Sequence, residues 1–308
     1  MALTLCLAVI LDAILGDPRG FPHPVKFIGT GISFWHKIFF KGPDSFLRGL
    51  AVVLMTLMTT GLFVGGLFLL TDGNIFLQVY FLYSAIAWRD LKDETAPILS
   101  SLMLQNLNEA RKYLSFVVGR DTENLDEKEI ARAAVETIAE NSVDGVISVI
   151  FYAILGSLVS SSWGMCLSVW LFKSASTLDS MLGYEKFGRY GTASARLDDI
   201  LNFIPARLGA LTIILSGFLT GGSPGAFRVF LNDRLKHKSP NSANAESAFA
   251  GVLGVRLGGG AYYNGKLESR PFLNENGSEV VTADILRAWR LLDVSCSLAV
   301  LIAVIILS

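Results

Sequence analysis

The chain reads as an all-α, polytopic integral membrane protein whose apolar helices are joined by polar helical and looped segments. Three observations carry that reading. Of its 308 residues 52% are hydrophobic and 17% charged, where soluble domains carry about a quarter charged residues. Leu47–Leu70 is an almost wholly apolar run, longer than the ~20 residues a helix needs to cross a bilayer. Lys128–Asn141 holds strong helix formers with no proline or glycine before Gly145, and it feeds directly into the apolar Val146–Leu155.

Taken in order, Met1–Leu15 is short and interrupted by Asp12. Lacking a basic leading region, it is expected to be a retained membrane helix rather than a cleaved signal. Leu15–Gly29, LGDPRGFPHPVKFIG, packs three prolines beside Gly16 and Gly20, so a stiff loop holding Asp17 and His23 is expected. Leu47–Leu70 spans the membrane, Thr71–Asn74 is a tight turn, and Ile75–Trp88 returns. Arg89–Asn124 is polar and helical, and Asp121 or Thr122 caps the helix that follows. Val146–Leu155 and Trp163–Phe172 form an apolar hairpin around Ser160–Ser162. Leu171–Leu208 sets charged residues beside apolar helix. Ile213–Leu219 is too short to span alone and reads as interfacial or re-entrant. Pro224–Arg270 reads as a basic, glycine-rich soluble stretch, with a helix starting at Glu246. Leu291–Leu307 is a terminal membrane helix.

No fixed-period repeat or low-complexity linker breaks the chain, so one integral domain over residues 1–308 is the economical reading. Its polar segments cover about 16–46, 89–142, 173–207 and 220–290 and carry nearly all the Lys and Arg. The turns at Thr71–Asn74 and Ser160–Ser162 carry none. The positive-inside rule then puts the polar segments in the cytoplasm and both termini outside. A net charge of −1 without a basic, aromatic-interleaved cluster argues against a nucleic-acid partner. Cys6, Cys166 and Cys296 stand alone in apolar runs, as inert thiols do.

The chemistry gathers where polarity meets the apolar run. Arg132, Glu136 and Glu140 recur every fourth residue and share one helix face, with Thr137, Asn141 and Asp144 alongside. The ordinary alternative pairs Glu136 with Arg132 on a solvated helix end. Acidic groups next to a membrane-buried segment are costly unless used, and Glu136, Glu140, Asn141 and Asp144 offer oxygens that suit Mg²⁺ and hence phosphate chemistry. The chain has no P-loop, no dinucleotide fingerprint, no Ser-His-Asp order and no Cys-His metal spacing. Phosphoryl activation of a carboxylate and membrane prenyl transfer with an Asp-bound diphosphate both remain open. The second wants paired Asp-rich motifs that ENSVDG and RLDDI match poorly.

The ordered blocks LGDPRGFPHPVKFIG, VGRDT, IARAAVETIAENSVDG, TLDSMLGY, ASARLDDILNFIPARL, HKSPN and GVLGVRLGGGAYYNGK run from about Asp12 to Pro271. Together they resemble the adenosylcobinamide-phosphate synthase family, integral membrane enzymes of cobalamin biosynthesis. The resemblance implies ATP- and Mg²⁺-dependent joining of adenosylcobyric acid to an aminoalkyl phosphate. It implies a multi-pass cell-membrane location, and other enzymes of cobalamin assembly as partners. Glu136, Glu140, Asn141 and Asp144 become the Mg²⁺–ATP candidates, with Asp179 and Asp198/Asp199 next. Arg120, Lys173, Arg196 and Arg256 would neutralise phosphates. His237, with Ser239 and Asn241, would orient phosphate or take the amine proton. Gly258, Gly259 and Gly260 would leave backbone N–H groups open to an anion, and Tyr262 and Tyr263 would stack on the flat corrin. A non-catalytic corrinoid-binding scaffold and a permease are the readings from other classes. Two positions depart from the family pattern. Ser176 replaces the usual Asn before T-L-D-S-M, and Ser242–Ala245 replaces a small-Gly-Trp-Pro run. The second departure predicts a roomier amine site.

Overall fold

The computed structural model describes residues 1–18, 20, 22–41, 45–71, 73–183 and 187–308, apart from the side chains of 161 and 162. Arg19, Phe21 and Tyr184 of the motif blocks, and Asp72 of the first turn, therefore lie outside the described residues. Helices dominate. In chain order they are α1 (Ala2–Leu15), α2 (Pro24–Phe39), α3 (Phe46–Leu70), α4 (Ile75–Tyr83), α5 (Trp88–Met103), α6 (Leu107–Leu114) and α7 (Glu127–Ser142). A π-helical turn, Val143–Ile147, leads into α8 (Ser148–Val159), α9 (Ser161–Leu182), α10 (Gly188–Leu201) and α11 (Phe203–Thr220). Then come α12 (Ala226–Asp233) and α13 (Ser242–Leu253), four short strands, and α14 (Ala283–Leu307). The strands pair antiparallel, β1 (Leu257–Gly258) with β4 (Phe272–Leu273) and β2 (Ala261–Tyr263) with β3 (Lys266–Glu268).

Among the described residues four helical runs are long and apolar enough to cross a membrane: Phe46–Leu70, Glu127–Val159, Phe203–Thr220 and Ala283–Leu307. The protein is thus an all-α membrane protein, as its composition implies. Several expected boundaries move. The helix α2 starts inside the expected proline loop, because Pro24 takes the first helical position, where its missing N–H costs nothing. His23 caps that helix, its Nδ1 accepting from Val25 N–H at 3.2 Å. The expected return over Ile75–Trp88 is only the 9-residue α4, about 13 Å long and too short to cross. The 18-residue α11 absorbs the short Ile213–Leu219 segment and makes it long and apolar enough to cross. Its polar start is satisfied locally, since the Arg207 guanidinium stacks 3.6 Å from the Phe203 ring and donates to the Phe203 carbonyl at 2.6 Å.

Two compact units form. The first comprises Met1–Ala87, Val149–Asn202 and Val300–Ser308. Within it α3 packs on α2, α9 and α10, and α1 packs on α4. The crossing of α8 and α9 requires glycine: a Cβ on Gly156 would lie 2.1 Å from the Gly164 carbonyl oxygen. Trp170, fully buried, donates from Nε1 to the Phe81 carbonyl at 3.0 Å.

The second unit comprises Trp88–Ser148 and Phe203–Ala299. Its core helix is α13, every residue of which from Ala243 to Leu253 is buried against α11, α12 and α7. Alanine, serine and glycine dominate α13, and such small side chains let neighbouring helices approach closely. The stretch expected to be soluble and glycine-rich therefore supplies an internal helix.

Candidate functional site

The second unit carries a narrow polar cavity lined by Arg120, Glu136, His237, Glu246, Arg270 and the Gly258–Gly259 turn. Each wall has a local cause. The helix α7 is started by Asp126, whose side chain accepts from Glu129 N–H while Glu129 reaches back to Asp126 N–H. This reciprocal capping box, rather than Asp121 or Thr122, fixes the helix start and so the height of Glu136. Asp121 serves another purpose. Its carboxylate accepts from the N–H groups of Asn264 and Gly265 at 3.0 and 2.7 Å, and its own N–H donates to the Tyr262 carbonyl at 2.7 Å. The β2–β3 turn is thereby tied to the loop that presents Arg120.

Glu136 sits at the centre and is buried. One carboxylate oxygen accepts from Arg120 Nη2 at 2.6 Å, the other from the Gly258 N–H at 2.8 Å. Arg132, its expected partner one turn back, stands at 3.8 Å, an electrostatic neighbour beyond hydrogen-bond reach. Burial works against the Arg120 charge, yet Glu136 more than offsets it and holds the guanidinium above its ordinary pKa. The glycine turn is thus no open anion cradle. Gly258 N–H is taken by Glu136 and Gly259 N–H points to the Pro271 carbonyl at 3.4 Å. With φ of +79° and +89° both positions need glycine, and a Cβ on Gly258 would meet the Pro271 oxygen at 2.5 Å.

His237 and Glu246 form the opposite pair. Asp233, at the end of α12, holds Lys236 at 2.7 Å and accepts from Asn274 N–H at 2.6 Å, which anchors the turn carrying His237. His237 Nδ1 faces Ser242 Oγ at 3.1 Å and Glu246 Oε1 at 3.6 Å. Its Nε2 is buried without a hydrogen-bond partner. Burial first, then the Arg270 charge, lowers the His237 pKa against an opposing pull from Glu136. Burial, reinforced by Glu136 and Glu140, raises Glu246 well above the usual carboxylate range, although Arg120 and Arg270 oppose it.

The other expected site residues scatter. Glu140 is exposed on α7 and Asn141 donates to the Thr137 carbonyl at 2.9 Å. Asp144 lies in the π-helical turn, whose wider winding takes it off the register that an unbroken α-helix would give. Ser239 accepts from Asn241 N–H at 3.3 Å, and Asn241 from Arg207 at 3.3 Å. Arg256 stacks 4.6 Å from Phe272 and lines a second, wider polar cavity with Lys128, Arg132 and Glu279. Tyr263 receives Arg270 at 2.8 Å, whereas Tyr262 is exposed. Lys173, Asp179, Arg196 and Asp199 belong to the first unit. There Arg196 pairs with Asp199 at 3.8 Å, and Asp198 accepts from Asn202 at 3.2 Å. Among the described residues no three His, Cys, Asp or Glu side chains gather as a metal site. Glu136 is committed to Arg120 and Gly258, so its carboxylate does not fit a Mg²⁺ cage.

Glu246 and Arg270 complete the cavity and were not among the candidates read from the sequence. Glu246 does leave a trace there, as the one ionisable residue in ESAFAGVLGV. Arg270 leaves none. The replaced run Ala243–Ala245 lies in the buried first turn of α13, which begins at Ser242 rather than at Glu246.

Fold and site together define a multi-pass, all-α membrane protein with a narrow polar cavity of arginines, carboxyls and an imidazole. The family model described as CobD/Cbib protein matches residues 5–292. "Cobalamin biosynthesis protein CobD" of Clostridium perfringens is 37% identical over 97% of this chain and 96% of its own length. The CobD protein of Pelobacter propionicus is 41% identical over 88% and 84%. "Cobalamin biosynthesis protein CbiB" of Salmonella choleraesuis is 37% identical over 97% and 95%. The chain belongs to the CobD/CbiB family, in agreement with the resemblance drawn from its motif blocks. No solved structure matches it.

Proposed function

We propose that the protein serves cobalamin biosynthesis as an ATP-dependent acid–amine ligase. It joins a propionate of adenosylcobyric acid to an aminoalkyl phosphate, giving adenosylcobinamide phosphate. The observation that carries this reading is the narrow, partly enclosed cavity in which Arg120, Arg270 and His237 converge with two carboxyls. Guanidinium forks suit phosphate and carboxylate oxygens, and burial strengthens each such contact by excluding water.

The chemistry needs such a place. A carboxylate does not condense with an amine at neutral pH, because hydroxide leaves poorly. Transfer of the γ-phosphoryl group of ATP gives an acyl phosphate and ADP. The amine nitrogen, having lost a proton, attacks the acyl carbon. The C–O bond to phosphate breaks, and the nitrogen loses its second proton as the amide forms. In this reading Arg120 and Arg270 hold the anionic oxygens, and Lys128, Arg132 and Arg256 of the wider cavity, which also carries Asp126, Glu129 and Glu279, receive the ATP phosphates. Mg²⁺ accompanies ATP as its counter-ion rather than occupying a protein cage.

Purified protein given adenosylcobyric acid, ATP, Mg²⁺ and aminopropanol phosphate, ethanolamine phosphate or threonine phosphate should release ADP and yield a phosphorylated cobinamide. ADP release indifferent to corrinoid and amine would overturn the reading. We further propose that this site faces the cytoplasm, where ATP is. Reporters fused at Gly73 or Ser161 should then read outside, and those at Asn124 or Asn232 inside.

A further inference from the structure

We propose that Glu246 is a positioning residue acting through His237: it holds the imidazole so that Nε2 carries a hydrogen and presents it, as a donor, to an anionic phosphate or carboxylate oxygen of the substrate. The inference rests on the ligase reading for its substrate, but its geometry stands alone. His237 and Glu246 keep only 6% and 7% of their side-chain surface exposed. Both ring nitrogens have distinct surroundings. Nδ1 is flanked by Ser242 Oγ at 3.1 Å and Glu246 Oε1 at 3.6 Å, whereas Nε2 has no partner and belongs to a side chain that lines the cavity. A buried polar atom left without a partner is costly, and a ligand oxygen is what would complete it.

The tautomer follows from the charges around the pair. Glu246 is faced by Glu136 and Glu140 from α7, by Arg120 from the preceding loop, by Arg270 from the β3–β4 loop and by His237 from the loop after α12. Full enclosure beside two other carboxyls favours the protonated form of Glu246, and burial with the Arg270 charge favours the neutral imidazole. A protonated carboxyl has a hydrogen to give, and Nδ1, 3.6 Å from Glu246 Oε1, comes within accepting distance on a small side-chain rotation. With Nδ1 accepting, the ring hydrogen resides on Nε2. The two carboxyls of the cavity therefore differ in role. Glu136 accepts from Arg120 and from the Gly258 N–H, whereas Glu246 lies beside the imidazole in surroundings that favour its protonated form. Environments that push two such groups apart commonly mark an acid and its counterpart. On deprotonation Glu246 would draw the hydrogen to Nδ1, leaving a lone pair at Nε2 that repels an oxyanion. Ser242, on the same turn of α13 as Glu246, can follow either state by rotating its hydroxyl.

Two measurements decide it. The chain has three histidines, so ¹⁵N-histidine labelling of the detergent-solubilised protein gives a countable spectrum, and His237→Gln assigns the resonance that disappears. At neutral pH the His237 Nε2 signal should be that of a protonated nitrogen. An unprotonated Nε2 there overturns the inference, even if the protein proves to be a ligase. In turnover assays Glu246→Leu should lower kcat by about a hundredfold, the scale of losing one oxyanion donor, with the KM for ATP changed less than about twofold. Glu246→Gln, neutral and still a donor, should recover most of that loss. It should also abolish the alkaline fall in rate that wild type shows as Glu246 gives up its proton. A Gln variant as slow as Leu would mean that the carboxylate, not the carboxyl, is needed, which also overturns the inference. Should wild type itself make no product, the ligase reading fails while the nitrogen spectrum still decides the tautomer.

Discussion

Two histidines in this protein sit beside carboxyl groups, and their surroundings could hardly differ more in consequence. In the first unit His23 uses Nδ1 to cap α2 and points Nε2 at Asp17, 3.9 Å away and 44% exposed. Tyr83 donates to the Gly16 carbonyl of the same loop at 2.6 Å, and Tyr80 donates to Pro22. Nδ1 is thus spent on the helix start, and Nε2 faces a partly exposed carboxylate. In the second unit His237 keeps one nitrogen for Ser242 and Glu246 and leaves the other unpartnered in a cavity. The same side chain is thus a fastener in one place and an open valence in the other. Sequence context alone, PHP against HKSPN, does not separate them.

The widest test of this contrast is a pair of substitutions. His237→Ala should reduce turnover by about a hundredfold, whereas His23→Ala should leave the specific activity of folded protein within about twofold. Equal losses would erase the distinction. Next, Glu136→Gln should cost about 3 kcal/mol, because it strands the buried Arg120 charge. Denaturant unfolding of the purified protein measures it, and an unchanged midpoint would mean that water replaces the pair. Gly258→Ala should cost about 2 kcal/mol, through a left-handed backbone and the clash with the Pro271 oxygen, seen as a lower midpoint in the same experiment. His23→Ala should cost about 1 kcal/mol for the lost cap. At the small end, Arg196→Ala removes a side chain that is 73% exposed and should shift stability by less than about 0.5 kcal/mol.

Local patterns were the legible part. The apolar run of α3 and the helix formers of α7 announce their elements within a few residues of the observed ends. The motif blocks likewise sufficed to place the chain in its family. Trouble began where a local signal has two readings. Pro24 reads as a helix breaker but starts a helix, and Arg207 reads as the end of a polar segment but folds back on Phe203 inside an apolar helix. The site was less legible still, since its bonds are distant in sequence. Arg120 and His237 were both named, but nothing local shows that Glu136 would bind Gly258 instead of leaving that turn open to an anion. Lys173, Asp179, Arg196 and Asp199 are grouped with the others by charge and by the family blocks they lie in or beside, and neither carries information about which unit a residue joins.

The bond between Glu136 and Gly258 spans 122 residues, and that distance has a consequence for how the protein is made. A ribosome adds about 5–20 residues per second, so Glu136 emerges roughly 6 to 24 s before the amide that will complete it. During that interval Glu136 has Arg120, 16 residues upstream, and Arg132, one turn back on α7, as its cationic neighbours. Early pairing with Arg120 would let the helix insert without an uncompensated charge. The glycine turn would then close on a carboxylate already in place, making the cavity a late event in biogenesis.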